Sequence, residues 1–243
     1  MKEHPILFTT EMVQAILQGR KTQTRRVVKN IPDESQYLKE YPAHNAMDMY
    51  PFLKPDELQK PDNEKIATVI SCPFGKVGDR IWVRETWTKT MVRDEEGWFY
   101  VFKADGDDWA APWKPSIHMP KTAARIWLYV EEVKVERVQD ISEEDAIAEG
   151  VLPLLASSMQ LITQGQLYFD YSKPKQFFNE GLPALWSFNS LWCSINGNES
   201  WETNPWVWVV KFKVLSTTGM KSPLPPFAKG DEERSEPASN IQP

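Results

Sequence analysis

Apolar and polar positions recur along this chain with two periods, and together they predict many strands and a few short helices. Pro5-Ile6-Leu7-Phe8 reads as a first strand. Met12, Val13, Ile16 and Leu17 then fall on one helical face. Thr9-Thr10 offers that helix an N-cap, Glu11 complements the dipole in its first turn, and Gly19 stops it. Residues 81–87 alternate as a strand, with Ile81 and Val83 on one face and Trp82 and Arg84 on the other. Gly75 to Arg80 forms the turn before it, and Asp94-Glu95-Glu96-Gly97 a hairpin turn before a strand at 98–102.

Residues 125–138 are the longest strand candidate. Ile126, Leu128 and Val130 share a face, whereas Val133 and Val135 are out of phase, and a bulge near Glu131-Glu132 restores the alternation. Ser142 caps a second helix with Asp145 in capping-box position, and Gly150 ends it. Pro183 opens a third helix with a stripe of Leu185, Phe188, Trp192 and Ile195, stopped at Gly197. Residues 206–214 are apolar on both faces in their first half, as a central strand is. This is an α+β, mainly β pattern: a small, twisted, barrel-like sheet with flanking helices.

The pattern fades in two places. Residues 30–72 are polar, proline-rich and poorly periodic, an irregular insertion in which 47–53 docks by its aromatic side chains. A second insertion covers about 151–183. One domain therefore spans 1–215, and 216–243 has the composition of a disordered tail.

Composition narrows the function classes. The net charge of −6 excludes a polycation, so any nucleic-acid contact must come from a local basic patch. Two cysteines and three histidines, all far apart, predict neither a disulfide framework nor a metal site. No apolar run is long enough to cross a bilayer and the N-terminus lacks a signal-peptide pattern, which together predict a cytoplasmic protein. Eleven tryptophans are many for this length; most are expected in the core, with some lining a cleft.

Candidate chemistry concentrates in Gly19-Arg20-Lys21-Thr22-Gln23-Thr24-Arg25-Arg26, which gathers cations and threonines with no acid among them. Two readings are open. Arg20, Lys21, Arg25 and Arg26 can meet phosphates. Alternatively, neighbouring cations and burial lower the pKa of Lys21, which then activates the Thr24 hydroxyl. Glu149 sits in the last turn of its helix, where a carboxylate opposes the dipole. It is either a solvated surface acid or a general acid or base facing a lysine. Trp82 and Arg84 share a strand face that can stack on a base. Glu85 reads as one half of a structural pair with an arginine. Ser116 and His118 are weaker cleft candidates.

Four blocks together resemble the ASCH domain: Lys21-Thr22-Gln23-Thr24-Arg25-Arg26, Gly78-Asp79-Arg80-Ile81-Trp82-Val83-Arg84-Glu85-Thr86-Trp87, Ile141-Ser142-Glu143-Glu144-Asp145-Ala146-Ile147-Ala148-Glu149-Gly150 and Asn204-Pro205-Trp206-Val207-Trp208. The resemblance is nearest to phage and prophage ASCH proteins and covers roughly the first 215 residues. It implies a PUA-like pseudo-barrel and a protein that binds RNA or a modified nucleoside in a cationic cleft. Small bacterial ASCH proteins also include amidohydrolases of N4-acetylcytidine, which implies the catalytic set Lys21, Thr24 and Glu149. In that case Thr24 attacks the carbonyl, Lys21 activates it and Glu149 passes a proton to the leaving amine. Neither reading requires a cofactor or a metal. A structural or adaptor protein of phage assembly is a third class. The insertions make this chain longer than the small amidohydrolases.

Overall fold

The computed structural model describes residues 1–29, 49–52, 68–91, 98–106, 112–154, 165–173 and 181–219. In chain order these form β1 (Glu3–Leu7), α1 (Thr10–Leu17), β2 (Gln23–Val27), β3 (Met49–Phe52), β4 (Thr68–Ser71), β5 (Arg80–Arg84), β6 (Trp87–Met91), β7 (Trp98–Phe102), β8 (Trp127–Arg137), α2 (Glu143–Ala148), α3 (Ala184–Asn196), α4 (Asn198–Glu202) and β9 (Trp206–Ser216). The class is α+β, dominated by strands, as the periodicity predicts.

β9 is central because it is apolar on both faces. Val207 and Val209 point into one cluster with Val138, Ala146, Tyr168, Phe188 and Trp192. Trp208, Val210 and Phe212 point into another with Ile6, Phe8, Val13, Ile16, Ile81 and Leu128. Helix α1 therefore covers one face of the sheet, and α2 and α3 the other. The sheet order is β1-β5-β8-β9-β2. β1 runs parallel to β5, and the other neighbours are antiparallel.

The predicted bulge is present. Val130 pairs with Phe212 and Glu132 with Lys211, so Glu131 is the extra residue, and Leu128, Val130, Val133 and Val135 are all buried. No pairing of β1 with β2 closes the sheet among the described residues. The two edges nevertheless approach each other, since Arg26 Nη2 on β2 donates to the Leu7 carbonyl on β1 at 2.8 Å. Edges four strand spacings apart would lie about 19 Å from each other if the sheet were flat. The sheet therefore curls into an open half-barrel with a seam between β1 and β2.

Several expectations change. The strand predicted at 81–87 ends at Arg84, because Glu85 turns its carboxylate inward to Arg125, and Trp87 opens β6 instead. The stretch 30–72 is not irregular throughout: β3 and β4 form an antiparallel pair within it. The rest of that stretch, the aromatic docking, the 94–97 turn and the tail from 220 onward lie outside the described residues. Leu17 is exposed where the chain turns away at Gly19. Ile195 is exposed as well, because it lines a pocket and does not pack into the core. In the stretch 151–183, bridges from Pro153 to Tyr168 and from Tyr168 to Leu182 bring Tyr168 into the second cluster.

Candidate active site

Lys21 is held where the ends of two helices meet. Gly19 adopts a φ of +71° and turns the chain out of α1, after which the amides of Arg20 and Lys21 both donate to the Ala15 carbonyl. The Thr22 amide then donates to Ala148 in the last turn of α2. At this crossing Gly150 has a φ of +89°, and a Cβ placed on it would lie 2.8 Å from Lys21 Cβ and 3.0 Å from Ala15 Cβ. Gly150→Ala is thus expected to cost roughly 1–3 kcal/mol through strain and overpacking. It should also displace Lys21. Thermal unfolding checks the first effect and the activity assay described below the second.

The crossing brings Lys21 and Glu149 together from opposite parts of the chain. Lys21 Nζ donates to Glu149 Oε2 at 2.8 Å and to the Glu149 carbonyl at 2.9 Å. Lys21 is 1% exposed and Glu149 5%. Burial lowers the pKa of Lys21, and the Glu149 charge only partly offsets it. Glu149 is the C-cap of α2, and the two cations it meets compensate its unfavourable position on the dipole.

The second of these cations is Arg25, a hub. Its Nη1 donates to Glu149 Oε1 at 3.1 Å, its Nη2 to Asp145 Oδ2 at 2.8 Å, and its Nε and Nη2 to Glu136 Oε1. Lys134 adds contacts to Glu136 at 2.9 Å and to Asp145 at 3.5 Å. Burial works against the charge of Arg25, but Glu149 and Glu136 outweigh it and raise its pKa. Burial likewise works against ionised Asp145, yet Arg25 and Lys134 hold its carboxyl below the usual range. Ser142 Oγ caps α2 as expected, accepting from the Asp145 amide. The Asp145 carboxylate, however, bonds Arg25, so the capping box is only half formed.

Thr24 is 1% exposed, and its hydroxyl has no hydrogen-bond partner. It is not bonded to Lys21, whose ammonium is turned to Glu149. Thr24 does share a pocket of about 1100 Å³ with Glu149, Arg25 and Arg26. This pocket lies along the seam between β1 and β2. Phe8 stands beneath Lys21 at 5.7 Å and Arg26 at 5.3 Å. From α3, Phe188, Leu191, Trp192 and Ile195 form an apolar wall, and Arg84 and Ser116 lie on the β5 side.

The remaining sequence candidates separate. Arg20 donates to the Gly150 carbonyl and to Gln18, and burial lowers its pKa. Arg20, Lys21 and Arg25 are therefore engaged within the fold and do not form a basic patch. Arg84 lines the pocket, but Trp82, 5.5 Å from its guanidinium, packs against a third apolar cluster and not on the pocket wall. His118 is not on that wall either. Glu85 is indeed in a structural pair, with Arg125 at 2.9 Å, and Arg125 also grips Asp105. Sequence reasoning missed Glu136 and Asp145 as partners of Arg25, Lys134 as a second cation on those two acids, and α3 as a pocket wall. Only the misplaced last-turn Glu149 carried a signal. Among the described residues no three His, Cys, Asp or Glu side chains are grouped to hold a metal ion. No helix among them is long and apolar enough to cross a membrane.

Neither a protein-family model, nor a curated protein, nor a solved structure matches this chain.

Proposed function

We propose that this chain is an ASCH-type, PUA-like protein of the cytoplasm whose seam pocket hydrolyses the amide of a small N-acylated nucleoside, with N4-acetylcytidine as the reference substrate. The observation that carries the reading is that the unpartnered Thr24 and Glu149 line one pocket, with buried Lys21 held against Glu149 behind the wall. A buried hydroxyl without a partner costs about 1–3 kcal/mol, and a reacting carbonyl gives it a use. The open half-barrel and the motif blocks support the fold assignment.

In this reading neutral Lys21 takes the Thr24 proton as Oγ1 attacks the amide carbon. The amine departs with a proton returned through Lys21 and Glu149, leaving a threonyl ester. Water hydrolyses the ester, giving its proton to the same pair, and Thr24 is restored. The first step requires Lys21 to turn from Glu149 toward Thr24, directly or through one water, once substrate is bound.

The pH dependence follows. Lys21 must be neutral to accept the proton, and burial lowers its pKa. kcat/KM for N4-acetylcytidine should therefore rise with pH along a limb whose midpoint lies below the ordinary lysine value of about 10.5. A limb at or above that value would remove Lys21 as the base.

A second reading, nucleoside binding without turnover, is favoured by Arg26 beside the Phe8 ring. Recognition of an RNA backbone is less favoured, because Arg20, Lys21 and Arg25 already have partners within the fold.

A further inference from the structure

The pocket is larger than its reactive corner requires. Sites for drug-sized ligands span roughly 300–1,000 Å³, and this one is about 1100 Å³. Its walls differ in chemistry. Next to the reactive corner stands the α3 wall. Phe188 lies 5.9 Å from the Arg25 guanidinium, so this wall begins directly beside the group that holds Glu149. Farther along α3, Leu191 and Ile195 also line the pocket, and Ile195 is 46% exposed, an apolar side chain facing an open cavity.

The wall formed by the strands β1, β2 and β5 is cationic, carrying Arg26 and Arg84. Leu7 is the register partner of Arg84 across β1 and β5. The Leu7 carbonyl also accepts from Arg26, so both arginines converge on this part of the seam. Neither forms an ion pair with a carboxylate among the described residues. Arg84 donates one Nη2 bond to the Ile117 carbonyl, and its buried Nε has no partner. Of the two carboxylates that line the pocket among the described residues, Glu149 is tied to Lys21 and Arg25, and Glu11 sits on the first turn of α1. A guanidinium with an unused, water-excluded N–H is poised for an anionic acceptor, to which it can offer a charge-assisted bond.

We infer that the pocket takes an anionic N-acyl compound: its apolar acyl group lies on Leu191 and Ile195, its amide at Thr24, and its anion at Arg84. This rests on the hydrolytic reading and deepens it. An N-acyl amino acid supplies the anion as a carboxylate, an acylated nucleotide as a phosphate. The reaction balances with water alone: the acyl C–N bond is cleaved to a free acid and an amine that keeps the anion.

The test compares kcat/KM for N-benzoylglycine, N-acetylglycine, N-methylbenzamide, N4-benzoylcytidine 5′-monophosphate and N4-acetylcytidine. Either N-benzoylglycine or the benzoylated nucleotide should exceed N4-acetylcytidine by roughly tenfold or more, and which one does so identifies the anion. If the carboxylate is the anion, N-benzoylglycine should also exceed both N-acetylglycine and N-methylbenzamide. Arg84→Gln should collapse the ratio of the preferred anionic substrate to N-methylbenzamide. Ile195→Asp, at an exposed position, should collapse the benzoyl-to-acetyl ratio and leave the melting temperature close to that of wild type. If N4-acetylcytidine is cleaved faster than every anionic benzoyl compound, the inference is overturned and the hydrolytic reading survives. If wild type cleaves none of the five, both are overturned.

Discussion

Arg25→Ala is expected to lower the melting temperature by roughly 6–12 °C, the largest effect on stability of any single change in the site. The reason is charge balance in a confined space. Glu136, Asp145 and Glu149 face Arg25, Lys21 and Lys134, three acids against three bases. Removing the hub leaves one excess negative charge and three carboxylates without their common donor. Breaking a buried pair costs about 3–5 kcal/mol. Glu136 and Asp145 retain 15% and 17% side-chain exposure, so water reaches them and the lower end applies. At about 2–4 °C per kcal/mol for a domain of this size, the shift follows. Arg25→Lys should recover only part of it, since an ammonium lacks the planar fork that reaches three carboxylates. The pH dependence has a definite sign. Asp145 has a depressed folded pKa, so its stabilisation is present above its unfolded value and is lost as pH falls through the folded one. The gap between wild type and Arg25→Ala should therefore narrow below about pH 4. A constant gap would mean that the hub is not what stabilises the structure.

Thr24→Val is expected to lower kcat by ~1000-fold or more while leaving the fold intact. Valine keeps the branched shape and loses only the hydroxyl. That hydroxyl is buried and unpartnered, so its removal relieves a desolvation cost, and stability should stay level or rise by about 1 kcal/mol. The combination is diagnostic. A structural threonine would lose stability on this change and a bystander would lose nothing, whereas a nucleophile loses activity alone. Unfolding and initial rates measured on the same preparation separate the three.

Local features of this fold were legible in the sequence. Thr9 and Ser142 are N-caps because a hydroxyl at the start of a helical period has a backbone N–H to accept from. The bulge at Glu131 was visible as a slip in alternation. Glu149 stood out because it sits at the wrong end of a dipole, and a long-range partner is the physical resolution of that conflict. What was not legible is non-local. Arg25, Glu136 and Asp145 are each ordinary charged residues in their own elements, and nothing within a turn of each reveals that they meet. The strand order that closes β1 toward β2 is of the same kind. Ile195 matched the α3 stripe by period, yet a period shows only which residues share a face, not whether that face meets core or cavity. Trp82 likewise shares a strand face with Arg84 but packs into the third cluster, because its ring extends toward Trp127 and its neighbours while Arg84 reaches the pocket.

The most direct test of the central claim is the intact mass of the protein during a single turnover of N4-acetylcytidine, followed by peptide mapping. The account predicts a transient acetyl adduct on the peptide that carries Thr24, its decay as acetate appears, and no adduct or cytidine release with Thr24→Val. Cytidine release by Thr24→Val at the wild-type rate, or none from the wild-type protein, would contradict it.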